Sequence, residues 1–243
     1  MIDYSSVIKR IKPSIALILA LDAKGELAGT GSGFVFIKKG VLVTCNHVVA
    51  GANSFLLRFS GSNQLIEGKV VIKDDEHDLA LIKFTDDTRE PLSMGELDNV
   101  VEGMPVIFSG YPFSSKDLTT HQGIISAITK DATGITAYLI DGTVNSGNSG
   151  CPLMDADGKL IGIVNAKRVV RSDILEKIQN MSVGAISLYS VDLVEIYQAL
   201  AGNIQLGVGF AIPASYIPEH KEIQDINEEL KKGADNNHKN QNE

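Results

Sequence analysis

The chain has 243 residues, 44% of them hydrophobic and 21% charged, which excludes disorder, collagen-like repetition and simple helical repeats as descriptions of the whole. Such a length buries roughly 70 to 75% of its unfolded surface, enough for one large domain or two small ones packed together. Lys and Arg total 22 against 30 Asp and Glu, a net charge of −8, and a surface of that sign repels nucleic acid and anionic lipid.

Near the start, Lys9, Arg10 and Lys12 precede an apolar stretch that Pro13 and Asp22 confine to residues 15–21. It reads as a first core strand rather than a cleaved signal. Short β-rich runs follow, separated by Gly, Asn and Asp clusters. Those before the midpoint are 14–21, 33–37, 41–44, 54–59, 64–73 and 78–84; those after it are 104–109, 120–129, 135–140, 151–154, 159–166 and 207–212. Between the two sets, 85–103 is polar, turn-rich and carries Pro91, a natural connector. The pattern predicts an all-β protein of two six-stranded antiparallel β-barrels, since closing each sheet removes exposed edges. The expected division is 1–90 for the first barrel, 91–213 for the second and 214–243 for a terminal extension.

Asp157-Gly158 predicts a two-residue hairpin, which makes Asp155 and Asp157 turn residues rather than calcium ligands. A helical insertion is expected at 167–206, with Asp173 and Glu176 at capping-box spacing and Ser190 capping a second helix that carries Leu193, Ile196, Tyr197 and Leu200. A C-terminal helix is expected over 218–232, and the polar tail 233–243 is expected to be disordered. No apolar run approaches the about 18 residues that cross a bilayer. Cys45 and Cys151 stand far apart with no CxxC pair, which argues against a disulfide scaffold or zinc knuckle and points to a reducing, cytoplasmic location.

The sharpest chemical signal is Gly147-Asn148-Ser149-Gly150. A serine hydroxyl attacks at neutral pH only if a base takes its proton and donors receive the charge placed on the substrate oxygen. Glycine at 147 lets its N–H turn inward beside that of Ser149 to form an oxyanion hole. His47 ends the apolar run Thr44-Cys45-Asn46-His47, and Asp78 opens the buried run Asp78-Leu79-Ala80-Leu81-Ile82. Histidine accepts a proton near pH 7, and a buried carboxylate fixes its tautomer. The order His, Asp, Ser is that of the chymotrypsin constellation. With His47 and Asp78 from the first barrel and Ser149 from the second, the site is expected in the crevice between them.

On these residues, with Gly31-Ser32-Gly33-Phe34, the run from Val106 to Pro112 and Gly207-Val208-Gly209-Phe210-Ala211-Ile212-Pro213, the sequence resembles the trypsin-like (chymotrypsin-fold) serine peptidases and most of all the HtrA/Deg protease domain. The resemblance implies a serine endopeptidase without cofactor or metal. Ser149 would be the nucleophile, His47 the general base and then acid, Asp78 the orienting carboxylate, and the Gly147 and Ser149 amides the oxyanion donors. Asn148 stands where family members that mature from zymogens carry an aspartate, so activation by N-terminal cleavage is not expected. The 30 residues after Pro213 leave no room for a PDZ domain. Cys45 and Cys151 are expected to flank the crevice as small buried residues rather than as a redox switch.

The segment before the nucleophile, with Thr143 and Val144, is expected to line a primary pocket for small or medium aliphatic side chains. Ile163, Val164, Asn165 and Ala166 are expected to pair with a polypeptide substrate by strand addition. The insertion at 167–206 is expected to gate the pocket or receive a regulatory protein partner. The alternative to an enzyme is a latent peptide-binding module of the same fold that a partner activates. Gly29-Thr30-Gly31-Ser32-Gly33 lacks the pattern of a nucleotide loop and reads as tight strand packing. Asp74, Asp75, Glu76 and His77 read as a solvated turn, and His121, His220 and His238 as structural or surface groups.

Overall fold

Alternating apolar residues and tight turns close the chain into two barrels. The structure, a computed structural model, describes residues 2–86, 88–131, 133–166, 177–178, 181–185, 187–189, 191–196 and 208–218. The first barrel contains β1 (Ile15–Leu21), β2 (Leu27–Val35), β3 (Val41–Cys45), β4 (Ser54–Phe59), β5 (Ile66–Asp74) and β6 (Leu79–Phe84). Their order is β1-β2-β3-β6-β5-β4, closed by β4 on β1. Further along come β7 (Pro105–Gly110), β8 (Thr119–Lys130), β9 (Thr136–Asp141), β10 (Pro152–Met154), β11 (Leu160–Asn165), a small hairpin of β12 (Ser187–Leu188) and β13 (Val191–Asp192), and β14 (Val208–Pro213). The second barrel runs β10-β11-β14-β9-β8-β7 and closes β7 on β10.

All twelve expected strands form, in two closed six-stranded antiparallel barrels. β2 begins earlier than expected because the glycine-rich stretch 29–33 is itself strand, paired with β1 from Leu19↔Thr30 to Ala16↔Gly33. Each barrel interior is filled by inward side chains: Phe34, Leu42, Leu57 and Leu81 in the first, Phe108, Ile125, Ile140 and Leu153 in the second, all at most 1% exposed. Each such side chain contributes about 1.5 to 3 kcal/mol by leaving water, which is what holds two short-stranded sheets closed.

Three hairpin loops share one device. Asp22-Ala23-Lys24-Gly25, Asp131-Ala132-Thr133-Gly134 and Asp155-Ala156-Asp157-Gly158 repeat the pattern D-A-x-G. In each, the aspartate Oδ1 accepts the N–H groups two and four residues on, at 2.8 to 3.0 Å. The glycine N–H returns to the aspartate carbonyl at 3.0 or 3.1 Å, and its positive φ is needed to do so. The β10–β11 connection is therefore a longer aspartate-closed loop, with only Gly158 of the expected pair at positive φ, and not the two-residue turn expected from Asp157-Gly158.

The connector ties the barrels together. Leu92 N–H bonds to Val35 O in the first barrel, while Gly95 N–H and Ser93 O bond to Leu160 in the second. Helix α1 (Ser5–Ile11) buries Val7 and Ile11, and Arg10 donates to the Asp157 carbonyl. No helix was expected there, because only two of its positions turn inward. Among the described residues no helix is long and apolar enough to cross a membrane.

Most of the expected insertion at 167–206, including Asp173, Glu176 and Ser190, lies outside the described residues, as do the C-terminal helix beyond Pro218 and the tail. The described part contains β12 and β13, which sequence periodicity did not reveal. A helical turn starts at Leu193, and Asp192 caps it by accepting from Val194 N–H at 2.8 Å and Glu195 N–H at 3.1 Å.

Candidate active site

β3 delivers its end to the gap between the barrels, where one helical turn, α2 (Asn46–Val49), follows it. His47 sits on that turn rather than on the strand end. Asp78 lies in the turn before β6, not in the strand, and holds φ +56. A non-glycine residue in that region costs about 1 to 3 kcal/mol. Several bonds offset the cost: Asn46 N–H donates to Asp78 O at 2.9 Å, and His47 N–H to Asp78 Oδ1 at 2.8 Å.

The three side chains named from sequence meet. His47 Nδ1 lies 2.7 Å from Asp78 Oδ2, and His47 Nε2 lies 2.8 Å from Ser149 Oγ. Asn165 Nδ2 adds a donor to Asp78 Oδ2 at 2.8 Å. Burial alone would push the Asp78 carboxyl up, but the His47 ring, its charge and its backbone N–H, with the Asn165 amide, outweigh that and hold it below its ordinary value. The carboxylate therefore stays ionised at neutral pH. Ser149 Oγ also accepts Ala166 N–H at 3.1 Å, which leaves its proton free to point at His47 Nε2.

The loop around the serine is tied on nearly every side. Phe113 N–H donates to Ser146 O at 2.7 Å, Asn148 N–H to Asn145 O at 3.0 Å, and Gly150 N–H to Val164 O at 2.8 Å. Ser32, from the first barrel, donates through Oγ to Gly147 O at 2.7 Å and through its N–H to Ser149 O at 2.9 Å. Within the described residues, the Gly147 and Ser149 N–H groups donate to no internal acceptor, the condition an oxyanion hole requires. Gly150 is required by a close approach: a Cβ there would lie 2.1 Å from Ser32 O and 2.3 Å from Thr44 Oγ1, so the position is closed by the first barrel.

The residues expected to bind substrate divide. Ile163 and Val164 are fully buried, and both pair with β10-side and β14-side backbone: Ile163 with Pro152 and Ile212, Val164 with Cys151 and Ala211. Strand addition needs an open edge, so those two are corrected to core residues. Asn165 pairs with Phe210 on β14 and spends its side chain on Asp78, and Ala166 is the partly exposed residue next to Ser149. Val144 packs over Gly209, where a Cβ would fall 2.3 Å from Val144 Cγ2. Thr143 is exposed and borders a surface recess shared with Ile2, Tyr4, Gln122 and Asp141.

Sequence reasoning passed over Ser32, Phe113 and the Asn165 amide. The glycines beside Ser32 and the asparagine three residues past Gly162 gave no chemical signal, because their partners are distant in sequence. The turn at Asp74 to His77 is less solvated than expected, with the His77 side chain 21% exposed and bonded to Asp74. Among the described residues, Cys45, His47 and Asp78 are the one group close enough to share an ion. Their atoms are already engaged: the imidazole with the carboxylate, and the buried Cys45 thiol with Val164 O at 3.4 Å. Burial pushes both Cys45 and Cys151 well above the ordinary thiol value.

Comparison with known proteins places this geometry. Residues 31–163 match the trypsin-like peptidase domain. The chain is 35% identical over 150 residues to a probable periplasmic serine endoprotease DegP-like of Pseudomonas fulva (strain 12-X), covering 60% of this chain and 31% of that protein. It is 32% identical over 181 residues to the chloroplastic Protease Do-like 5 of Arabidopsis thaliana, covering 67% and 56%. The chain thus spans about a third of the first and little over half of the second. Among solved structures, HtrA-type protease AlgW with tripeptide superposes with a TM-score of 0.66 at 27% identity, over 88% of this chain and 60% of that one. The chain belongs to the trypsin-like peptidase domain family.

Proposed function

We propose that the chain is a serine endopeptidase that cleaves peptide bonds through an acyl-enzyme on Ser149. The observation that carries this reading is the continuous hydrogen-bonded line Asp78 Oδ2, His47 Nδ1, His47 Nε2, Ser149 Oγ, with links of 2.7 and 2.8 Å. As Ser149 Oγ attacks the scissile carbonyl, its proton passes to His47 Nε2, and Asp78 supports the imidazolium so formed. The charge on the former carbonyl oxygen is received by the Gly147 and Ser149 N–H groups. Collapse expels the amine, which takes its proton from His47. Water then repeats the sequence in reverse roles and frees the carboxylate product.

The substrate is a polypeptide whose backbone joins the edge at Asn165 and Ala166. A small or medium aliphatic side chain suits Thr143 and Val144, which bring no charge to the segment before the nucleophile. The latent-module alternative calls for an oxyanion loop out of register. The Gly147 and Ser149 N–H groups, which donate to no internal acceptor among the described residues, support the competent form instead. The cytoplasmic expectation loses its argument: two buried unpaired thiols tolerate an oxidising compartment as well as a reducing one, and relatives carry periplasmic and chloroplastic names.

A fluorophosphonate probe tests the proposal. Labelling of Ser149 in the isolated protein, lost in Ser149→Ala, together with cleavage in a mixed peptide library, is the expected result. No labelling of the folded protein, or hydrolysis of small esters with no peptide cleaved, overturns it.

A further inference from the structure

Next to the triad stands a second Asp–His pair with the same bonding pattern. Asp74 accepts His77 N–H through Oδ1 at 3.0 Å and lies 2.7 Å from His77 Nδ1 through Oδ2. Asp78 treats His47 in the same way, at 2.8 and 2.7 Å. Among the described residues the second pair has no nucleophile bonded at its far end. Its ring instead stacks on Tyr216, with centroids 4.2 Å apart and planes at 23°.

Three features make that stack relevant to the chemistry. First, Asp74 and His77 frame the β5–β6 turn whose last residue is Asp78, with Asp74 paired to Leu79 across it. Second, Asp78 holds its left-handed backbone only while that turn is fixed. Third, Tyr216 belongs to the second barrel: it follows β14, and its hydroxyl accepts Thr136 N–H from β9 at 2.9 Å. The His77 ring, Thr136 and Phe210 also line one narrow crevice with Asn165, the residue that donates to Asp78. The turn bearing Asp78 is therefore fastened to the barrel bearing Ser149 at a point one residue from the carboxylate.

We propose that Asp74 and His77, with Tyr216, are positioning residues for the Asp78 carboxylate: the two Asp74–His77 hydrogen bonds fix the turn, and the ring stack keeps the two barrels in register where the triad is assembled. This rests on the peptidase reading above. None of the three touches the reacting atoms. Without them the backbone at Asp78 relaxes toward negative φ, the carboxylate draws away from His47 Nδ1, and the imidazolium loses its support.

The test compares His77→Ala, Tyr216→Ala, Tyr216→Phe and Asp74→Asn in the full chain, with peptide kinetics, pH profiles and thermal melts. For His77→Ala and Tyr216→Ala, kcat falls about 10- to 100-fold, the scale of small misplacements of catalytic groups, while KM stays within about twofold. The acidic limb of kcat/KM moves to lower pH, because a carboxylate further from His47 favours its charged form less. Tyr216→Phe keeps the stack and stays within about threefold of the parent. Should His77→Ala not fold, Asp74→Asn preserves shape, removes the charged acceptor and carries the same expectations. Folded variants with unchanged kcat and an unmoved acidic limb overturn the proposal, even if their melting temperatures drop. Labelling of Ser149 in the parent protein separates the two readings: its absence overturns the peptidase reading and this proposal with it, whereas labelling with unchanged variant kinetics overturns this proposal alone.

Discussion

Ser32 in the first barrel holds Gly147 in the second: its hydroxyl donates to the Gly147 carbonyl at 2.7 Å and accepts Tyr111 N–H at 2.9 Å, with no exposure to solvent. The loop that carries the Gly147 and Ser149 N–H groups is thus held from across the crevice by the carbonyls of the same two residues. Ser32→Ala removes the donor and strands the buried Tyr111 N–H, at a cost of about 1 to 3 kcal/mol. Because the freed loop carries the oxyanion donors, kcat is expected to fall about 10- to 100-fold with KM little changed, on the scale of losing part of one such donor. Steady-state peptide kinetics and the rate of fluorophosphonate labelling check this, and both should slow together.

Within the triad, the variants should separate by role. Ser149→Ala and His47→Ala are each expected to cost about 10⁶ in turnover and Asp78→Asn about 10⁴. Asn165→Ala leaves all three in place and removes one of the donors to Asp78 Oδ2, so it is expected to cost only about tenfold. A loss under about tenfold for Ser149→Ala would reject the nucleophile assignment.

The strands and the triad were legible because their signals are local: alternation of apolar residues, a histidine at the end of the run Val41 to Thr44, a carboxylate at the head of the run to Phe84. The supporting contacts were not, because each joins residues far apart in the chain. Ser32 to Gly147, Phe113 to Ser146 and His77 to Tyr216 are settled by how the barrels meet, and nothing in a window of ten residues encodes that. The D-A-x-G loops are the opposite case. Their signal lay in the sequence three times over, and the reading of Asp157-Gly158 as a two-residue turn missed the aspartate that closes the loop.

The same loops yield a stability test. Gly25 and Gly150 both hold positive φ, but a Cβ on Gly25 meets nothing within 4 Å, whereas one on Gly150 meets Ser32 O at 2.1 Å. Gly25→Ala is expected to cost about 1 to 2 kcal/mol from backbone strain alone and to leave activity intact. Gly150→Ala must force the barrels apart at the nucleophile, and it is expected to abolish labelling of Ser149. Denaturant melts and probe labelling on the two variants distinguish strain from collision.

Oxidation should leave peptide turnover unaffected. Cys45 and Cys151 are fully buried and held as thiols, so little thiolate exists to react near neutral pH. Equal peptide turnover in oxidant and reductant is expected, with alkylation of either thiol only after unfolding. Loss of activity in mild oxidant, reversed by reductant, would restore the idea of a thiol switch beside the crevice.

Acid should destabilise the protein over two ranges of pH. Burial holds His121, stacked on Phe108 with ring centroids 5.3 Å apart, below the ordinary histidine value of 6.5. The unfolded chain then binds its proton first, so stability falls as pH drops below about 6.5 and the loss levels off once the folded form is protonated too. Asp74, Asp78 and Asp86 lie below the ordinary aspartate value of 3.8, against burial for the first two and chiefly through the Thr88 hydroxyl for the third. Their stabilisation is complete above that value and is lost as pH falls through the lower folded values. Melting temperature against pH is therefore expected to slope gently below 6.5 and steeply below 3.8. His121→Gln should flatten the first slope and leave the second, and a first slope unchanged in that variant would assign the effect to another group.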